Sequence, residues 1–287
     1  MREGRRASAR LLFAPVSRRK VEEEIRRQLA ELPAFRALVR GVEAVLLQRF
    51  ALPPPVLDLG CGDGHFGAMA LAAARPLGAD PALATLTEAR QRGVYGLLVA
   101  ADGERLPLAS NSLGTVVANS VLEHIPPVEG VLSEVARVLR PGGLFLLTVP
   151  GPGFSRFLSV ARLLDGLHGH ALAQAYRRAF NAVSRHVHVD PPEVWEDRLQ
   201  GAGFRVFERT SYIPPAALAF VEWGHVAGFP LYLNKKVFGR FRLFRWAWKE
   251  KLLARVLAGL AAREAVEGSY FFFAAKKTPP KAGKMAP

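Results

Sequence analysis

Residues 56–67 read Val56-Leu57-Asp58-Leu59-Gly60-Cys61-Gly62-Asp63-Gly64-His65-Phe66-Gly67. The apolar residues that open this stretch, interrupted by one acid, predict a buried parallel strand. A turn with glycine at every second position follows, and residues 66–74 have the composition of a helix. Glycine lets the backbone approach a ligand closely, and the start of a helix offers unpaired N–H donors. The stretch therefore predicts a strand–turn–helix cradle for a nucleotide.

The spacing of the glycines separates two kinds of nucleotide site. A dinucleotide-binding turn requires the pattern G-x-G-x-x-G, in which the third glycine closes the helix onto the strand. Here His65 stands where that third glycine would fall, and the pattern is G-x-G-x-G. The spacing disfavours a dinucleotide site.

Four further elements follow at regular intervals. They are a short strand that ends in Asp80, a strand over 95–100 followed by Asp102-Gly103, a strand and loop over 112–126, and a helix, Pro-Gly-Gly turn and strand over 132–150. In this order and spacing the chain resembles class I S-adenosylmethionine (SAM)-dependent methyltransferases, in particular the methyltransferase type 11-like family with its quinone-biosynthesis relatives.

The resemblance implies an α/β fold with a Rossmann-like, doubly wound sheet of seven strands. Six strands would be parallel and the last one antiparallel, with a helical N-terminal lid and helical insertions. The expected organisation is a basic helical lid at 1–50, a core at 51–212 with a helical insertion at 151–188, a basic apolar–aromatic cap at 213–268, a final strand at 269–277 and a disordered tail at 278–287.

The resemblance also implies a site for S-adenosyl-L-methionine. An acid at Asp80 would accept hydrogen bonds from the ribose hydroxyls, and Asp102 would meet the adenine amino group. Both acids have a structural alternative, since Asp80 could cap the next helix and Asp102 could stabilise a turn. Asp58 lies inside the strand and is expected to orient the glycine turn. The implied cofactor site comprises Asp58, Gly60, Cys61, Gly62, Asp80, Pro81, Asp102, Gly103 and Asn119.

Candidate acid–base residues are three histidines, His124, His186 and His188, together with Glu123. His124 follows the fourth strand, at the ligand end of the sheet, and could instead shape the methionine pocket. His186 and His188 precede Asp190, with which they could pair structurally. Two histidines and an acid in one short run are weak grounds for a metal site, so no metal is predicted.

Charge is distributed unevenly along the 287 residues, whose formal net charge is +14. Residues 1–50 hold 12 Lys/Arg and 6 Asp/Glu, residues 51–212 hold 14 and 15, and residues 213–287 hold 13 and 4. Basic flanks around a neutral core favour an anionic partner such as a membrane surface, a nucleic acid or an acidic substrate, and the alternative is a set of solvated basic faces. The single cysteine excludes an internal disulfide, and no secretory signal is visible, so a cytoplasmic location is predicted.

The 213–268 segment is the least typical part of the chain. Residues 213–233 approach the length of a bilayer span, but prolines, glycines and Glu222 interrupt them. Over 241–257, aromatic and aliphatic side chains fall on one helical face and basic ones on the others, which is typical of a helix lying in a membrane interface. The alternative is an amphipathic helix packed on the core. The predicted apolar face consists of Phe241, Phe244, Trp248, Leu252 and Val256.

These observations predict an enzyme, a SAM-dependent methyltransferase that transfers a methyl group by in-line displacement to a small-molecule or lipid-linked acceptor. A peripheral position at the inner face of an anionic membrane would suit the basic flanks. The alternatives are a SAM-binding scaffold or regulator without methyl transfer, and a nucleic-acid-directed methyltransferase. No nucleic-acid-binding module is recognisable, which weakens the last alternative. No pattern indicates an oligomeric state.

Overall fold

The computed structural model describes residues 17–227, 247–263 and 267–279. The strands within these ranges are β1 (Val56–Leu59), β2 (Leu77–Asp80), β3 (Leu97–Ala100), β4 (Leu113–Asn119), β5 (Leu139–Pro150), β6 (Phe204–Tyr212) and β7 (Tyr270–Lys277). They form one sheet in the order β3-β2-β1-β4-β5-β7-β6. Neighbouring strands from β3 to β5 pair in parallel, and β7 pairs antiparallel with both β5 and β6. The predicted sheet is confirmed, with the last strand inserted between β5 and β6.

Helices cover both faces of this sheet. They are α1 (Arg18–Gln28), α2 (Ala34–Leu47), α3 (His65–Ala70), α4 (Leu83–Gln91), α5 (Val128–Val138), α6 (Pro152–Arg156), α7 (Ser159–Gly166), α8 (His170–Ser184), α9 (Pro192–Gly201), α10 (Pro215–Ala227) and α11 (Ala247–Ala261). Successive residues of β7 alternate between the two apolar cores, with Phe272 on one side and Phe271 and Phe273 on the other. Strand β1 buries all four of its residues, as expected of a central parallel strand covered on both faces.

The two N-terminal helices pack against each other and belong to the apolar core on one face of the sheet. A Cβ on Gly41 of α2 would lie 2.7 Å from Cγ1 of Ile25 in α1, so glycine permits this close approach of the helices. Glu43 of α2 accepts hydrogen bonds from Ser120, just after β4, and from Tyr212, at the end of β6. The described part of the segment predicted as a lid is thus attached to the edge at which ligands bind in such sheets, and its role as a lid stays a prediction.

The two predicted insertions contain helices. Helices α6, α7 and α8 occupy 151–188, and α10 and α11 lie within 213–268. Phe241 and Phe244 of the predicted apolar face lie outside the described residues, as do residues 280–287 of the predicted tail. Within the described ranges, no helix combines the length and the apolar character that crossing a bilayer requires.

Candidate active site

The glycine turn after β1 leaves open space beside its backbone. Gly60 and Gly62 have φ angles of +68° and +53°, which side chains rarely tolerate. A Cβ on Gly60 would lie 2.6 Å from both γ-methyl carbons of Val121, whereas a Cβ on Gly62 would meet nothing within 4 Å. The turn is therefore packed against the loop after β4 at Gly60 and open at Gly62. This open cradle fits the close approach that SAM requires.

Asp80 is fixed at the edge of this turn and retains acceptor capacity. Its Oδ2 accepts the Gly62 N–H at 2.9 Å, and its Oδ1 accepts the Ala82 N–H at 2.9 Å. The Thr85 hydroxyl lies 3.2 Å from Oδ1 but 2.8 Å from the Ala82 carbonyl, and its single proton favours the shorter contact. A carboxylate offers about four lone-pair positions, so about two remain for the ribose hydroxyls. The N-cap of α4 is Ala82 and no side chain caps this helix, so Asp80 stabilises the turn before α4 and does not cap it, and it retains acceptor positions for a cofactor.

Two other residues of the predicted cofactor site are buried in the protein. Asp58 is 3% exposed and accepts the Tyr95 hydroxyl at 2.7 Å, and burial raises the pKa of Asp58 to about 7. Cys61 is 7% exposed, and burial raises the pKa of its thiol. Because both side chains are buried, we expect Asp58 and Cys61 to stabilise the conformation of the glycine turn from inside the protein.

The adenine end of the predicted site is more open. Asp102 is exposed, and its Oδ1 accepts the Glu104 N–H at 3.1 Å, which is the turn-stabilising contact considered from the sequence. Gly103 is buried, with Val131 Cγ1 3.3 Å from the position that a Cβ would take, and Pro81 is exposed. Asp102 alone of these three residues presents an exposed polar side chain beside the carboxyl end of β3.

Asn119 belongs to a buried polar cluster that the sequence did not reveal. Its amide nitrogen donates to Glu43 Oε2 at 2.9 Å, and its amide oxygen accepts the Thr148 hydroxyl at 3.1 Å. Glu43 also accepts Arg40 Nη1 at 2.7 Å and the Ser120 hydroxyl at 3.2 Å. The side chain of Asn119 thus joins α2 to the sheet. An acid inside the apolar run of α2 was the available signal for Glu43.

His65 ties the glycine turn to the N-terminal helices. Its ring nitrogens lie 2.6 Å from Gln28 Oε1 and 3.1 Å from Glu31 Oε2, and burial lowers its pKa. The residue that replaces the third glycine of a dinucleotide pattern therefore connects the turn to the lid.

A cavity of about 620 Å³ opens between α2, α10 and the loop after β4. Aromatic and aliphatic side chains of α2, α6, α8 and α10 form much of its wall. The polar and charged lining includes Arg36, Arg40, Ser120, Glu123, His124 and His186. Ser120 and the adjoining Val121 connect this cavity to the glycine turn, so a second molecule could lie beside a cofactor bound there.

The structure brings two of the three predicted histidines together. The rings of His124 and His186 are 5.6 Å apart, and both line the cavity. His124 Nδ1 lies 2.9 Å from the carbonyl oxygen of Arg185, which can only accept, so Nδ1 carries the proton and Nε2 the lone pair. Burial lowers the pKa of His186 to about 3, and its Nδ1 has no hydrogen-bond partner among the described residues.

His188 lies apart from this pair. Its Nε2 is 3.0 Å from the Ile125 carbonyl, and its Nδ1 is 3.3 Å from Asp190 Oδ2. It is not among the residues that line the cavity. These contacts favour the structural alternative for His188.

Glu123 is the most perturbed carboxyl group of the cavity. It is 1% exposed, and burial raises its pKa to about 8. Its Oε1 lies 3.8 Å from His124 Nε2, while its Oε2 has no hydrogen-bond partner among the described residues. At neutral pH this carboxyl group holds a proton next to the histidine.

Sequence comparison matches residues 57–147 to the family model described as a methyltransferase domain. Malonyl-[acyl-carrier protein] O-methyltransferase of Methylococcus capsulatus is 38% identical over 154 residues, covering 50% of this chain and 56% of that protein. The enzyme of the same name from Methylovorus sp. is 31% identical, covering 53% of this chain and 57% of its own length. The chain thus spans about half the length of these curated relatives.

Solved structures share the fold at low sequence identity. A SAM-dependent methyltransferase from Thermotoga maritima matches with a TM-score of 0.54 at 16% identity, covering 92% of this chain and 98% of that one. Haemonchus contortus phosphoethanolamine N-methyltransferase 2 in complex with S-adenosyl-L-methionine matches with a TM-score of 0.53 at 16% identity, covering 83% and 53%. The strand order, the open glycine turn and the family match together show that this chain carries a class I SAM-dependent methyltransferase domain, whose cofactor is S-adenosyl-L-methionine.

Proposed function

We propose that this protein transfers a methyl group from S-adenosyl-L-methionine to a small-molecule acceptor bound in the cavity between α2 and α10. The observation that carries the proposal is the position of that cavity, which reaches Ser120 next to the loop that closes on Gly60. A transferase needs a second site beside its cofactor, whereas a SAM-binding scaffold does not. The O-methyltransferase relatives support a small acceptor group.

The residues of the glycine turn and its neighbours would hold the cofactor. When bound, S-adenosyl-L-methionine supplies an electrophilic methyl group on a positively charged sulfur. Gly62 would allow the close backbone approach, Asp80 would accept the ribose hydroxyls, and Asp102 would meet the adenine. Helix α2 would cover the reacting groups and exclude water, which favours in-line attack in a fixed geometry.

His124 is the residue to which we assign proton transfer. The Arg185 carbonyl fixes its ring and leaves the Nε2 lone pair available to accept a proton from the acceptor. Glu123 Oε1 lies 3.8 Å from this nitrogen, and because its carboxyl group stays protonated at neutral pH it places no negative charge beside the ring. His186, whose pKa is lowered to about 3, is too weak a base for this task and would orient the acceptor as a neutral group.

A labelled methyl-transfer assay tests the function. The protein would be incubated with methyl-tritiated S-adenosyl-L-methionine and panels of small molecules and acyl-carrier-protein thioesters. Wild type and the Asp197→Ala control, which removes an exposed acid on α9, should label a product at the same rate, whereas Asp80→Ala should label it at least about tenfold more slowly at cofactor concentrations below saturation. Binding of the cofactor without labelling of any acceptor would favour the scaffold alternative.

A second proposal concerns an anionic membrane surface and lipid-linked acceptors. Helix α11 buries Ala254, Leu257 and Ala258 but leaves Trp248, Leu252 and Val256 exposed by 65%, 56% and 52%. The Lys249 ammonium lies 5.4 Å from the Trp248 ring centre. An apolar stripe flanked by basic groups suits a helix that lies in the interface of an anionic membrane, which would place the protein at the inner face of the cytoplasmic membrane.

Flotation with anionic vesicles at low salt tests this second proposal. Wild type should float with vesicles that contain phosphatidylglycerol, and the Trp248→Ser/Leu252→Ser double variant should stay at the bottom of the gradient. The Leu163→Ser/Leu167→Ser variant is the matched control, because Leu163 of α7 and Leu167 just after it are 65% and 69% exposed. Equal flotation of all three proteins, or of none, would contradict the proposal.

A further inference from the structure

Glu222 of α10 is a buried acid that the proposed reaction does not use. The residue is 1% exposed, and each of its carboxylate oxygens accepts two hydrogen bonds. Oε2 accepts the backbone N–H of Ser159 at 2.5 Å and the hydroxyl of the same residue at 2.7 Å. Oε1 accepts the Val160 N–H at 3.2 Å and the Tyr176 hydroxyl at 2.9 Å. A carboxylate offers about four lone-pair positions, so all of them are used within the protein.

These contacts fasten α10 to the first turn of α7. The N-cap residue of α7 is Leu158, whose side chain has no polar atom and cannot cap the helix. Glu222 supplies the missing acceptor from another helix, and its negative charge lies at the positive end of the α7 dipole. The indole N–H of Trp223 donates to the Ser159 hydroxyl oxygen at 3.1 Å, which adds a second link. Two successive residues of α10 therefore hold the start of α7.

The remaining partner, Tyr176 of α8, connects Glu222 to the wall of the acceptor cavity. Glu222 is not among the residues that line the cavity, whereas His225, three positions later on α10, is. The Tyr176 ring stacks on Phe180, with ring centres 6.2 Å apart. The Phe180 ring in turn lies 5.3 Å from His225 and 5.5 Å from Phe154, which also lines the cavity. One buried carboxylate thus fixes two helices whose ring contacts support part of this wall.

The same rings reach the histidine pair to which proton transfer is assigned. The Phe154 ring lies 4.5 Å from that of His186, and the His186 ring lies 5.6 Å from that of His124. His124 is held separately, because its Nδ1 donates to the Arg185 carbonyl. A shift of α10 would therefore change the cavity wall more than the orientation of His124. The hydrogen bonds of Glu222 go to α7 and α8 rather than to the glycine turn, so the cofactor site depends less on this residue.

We propose that Glu222 is a positioning residue for the methyl acceptor. By holding α10 against α7 and α8, it sets the shape of the cavity wall that carries His225 and Phe154, and through this wall it determines how tightly the acceptor binds. In this role Glu222 touches neither the acceptor nor the cofactor. Its loss should therefore raise the KM for the acceptor with little effect on kcat or on cofactor affinity. This inference rests on the proposed function, because it concerns the acceptor cavity of that reaction.

Titration of the histidine rings by NMR tests the position of α10 without an acceptor. Burial lowers the pKa of His225, and the charge of Arg36 lowers it further, whereas the Val221 carbonyl, 2.9 Å from His225 Nδ1, raises it. Glu222→Gln should admit water to this wall and raise the pKa of His225 by at least about half a unit. Tyr176→Phe removes a single hydrogen bond and should raise the pKa by a smaller amount, so it decides the question if Glu222→Gln does not fold. A His225→Gln variant assigns the signal.

Kinetics with the acceptor found in the methyl-transfer assay supply the second readout. Tyr176→Phe should raise the KM for the acceptor by about three- to tenfold, and Glu222→Gln should raise it further. The kcat and the dissociation constant of S-adenosylhomocysteine should stay within about twofold of wild type. Glu196→Gln is the matched control, since this α9 acid pairs with Arg209 outside the cavity and its replacement should change neither the KM nor the pKa of His225.

An unchanged pKa of His225 in both variants would overturn the inference. A fall in kcat or in S-adenosylhomocysteine affinity as large as the rise in KM would do the same, as would a control variant that reproduces the effects. Failure of every acceptor to become labelled, or of S-adenosylhomocysteine to bind wild type, would count against the proposed function. The histidine titration would still decide whether Glu222 holds the wall.

Discussion

Glu43 connects the N-terminal lid to the sheet, and its replacement by glutamine tests that connection. Its Oε2 accepts Arg40 Nη1 at 2.7 Å and Asn119 Nδ2 at 2.9 Å. Its Oε1 accepts the Tyr212 hydroxyl at 2.9 Å and the Ser120 hydroxyl at 3.2 Å. Glutamine keeps the shape of the side chain but presents an amide nitrogen in place of one oxygen. Turned towards Tyr212 and Ser120, that nitrogen can donate to their hydroxyl oxygens, so the main loss is the negative charge opposite Arg40.

The expected loss of stability follows from burial. The Glu43 side chain is fully buried, while that of Arg40 is 21% exposed. Removing one partner of a buried ion pair costs about 3–5 kcal/mol, and the partial exposure of Arg40 places the estimate at the lower end, at about 3 kcal/mol. Because glutamine keeps the shape of the glutamate side chain, the substitution creates no cavity. The loss in the free energy of unfolding therefore measures the polar contacts of Glu43.

Equilibrium urea unfolding of Glu43→Gln and of wild type measures this loss. Glu23→Gln is the matched control, since Glu23 of α1 is 56% exposed and pairs with an exposed arginine four residues earlier. The control should change the free energy of unfolding by less than about 0.5 kcal/mol. If Glu43→Gln is also within about 0.5 kcal/mol of wild type, the polar cluster does not hold the lid.

Three further predictions concern the turn and the cavity. Gly62→Ala and Gly142→Ala should each lose about 1–2 kcal/mol of stability, because both positions have positive φ and open surroundings, but only Gly62→Ala should also weaken cofactor binding in calorimetry; equal affinities would remove Gly62 from the site. Burial raises the pKa of Glu123 to about 8, above the value of about 4.3 for an unfolded chain, so the folded state holds an extra proton between these pH values. The free energy of unfolding of wild type relative to Glu123→Gln should therefore fall as pH rises from about 5 to 8 in urea titrations, and a flat difference would contradict the assignment. His124→Gln should lower kcat by about 100-fold or more while leaving cofactor affinity unchanged, and an unaltered kcat would exclude His124 as the base.

Much of the fold follows from local sequence. The apolar run of β1, the glycine turn and the acid at Asp80 lie within 25 residues, and their spacing alone restricts the topology. Strand β7 is likewise buried on both faces over residues 270–275, as its continuous apolar run predicts. Such features are predictable because hydrophobic periodicity and turn-forming residues are properties of positions that are close together in the sequence.

The acceptor side of the site depends on contacts that no local pattern encodes. Glu43 meets Tyr212 across 169 positions of sequence, and Arg40 meets Ser120 across 80. In the sequence, Arg36 and Arg40 are two of many arginines in the basic segment 1–50. His186 and His188 look equivalent two residues apart, yet one lines the cavity and the other is held by Asp190 and the backbone after His124.

Binding of S-adenosyl-L-methionine measured by calorimetry tests the central claim most directly. The cofactor should bind wild type and Asp197→Ala with the same affinity. Asp80→Ala should bind at least about tenfold more weakly, because two ribose hydroxyls lose a charged acceptor. Unchanged binding by Asp80→Ala, or no binding by wild type, would contradict the placement of the cofactor in the glycine turn.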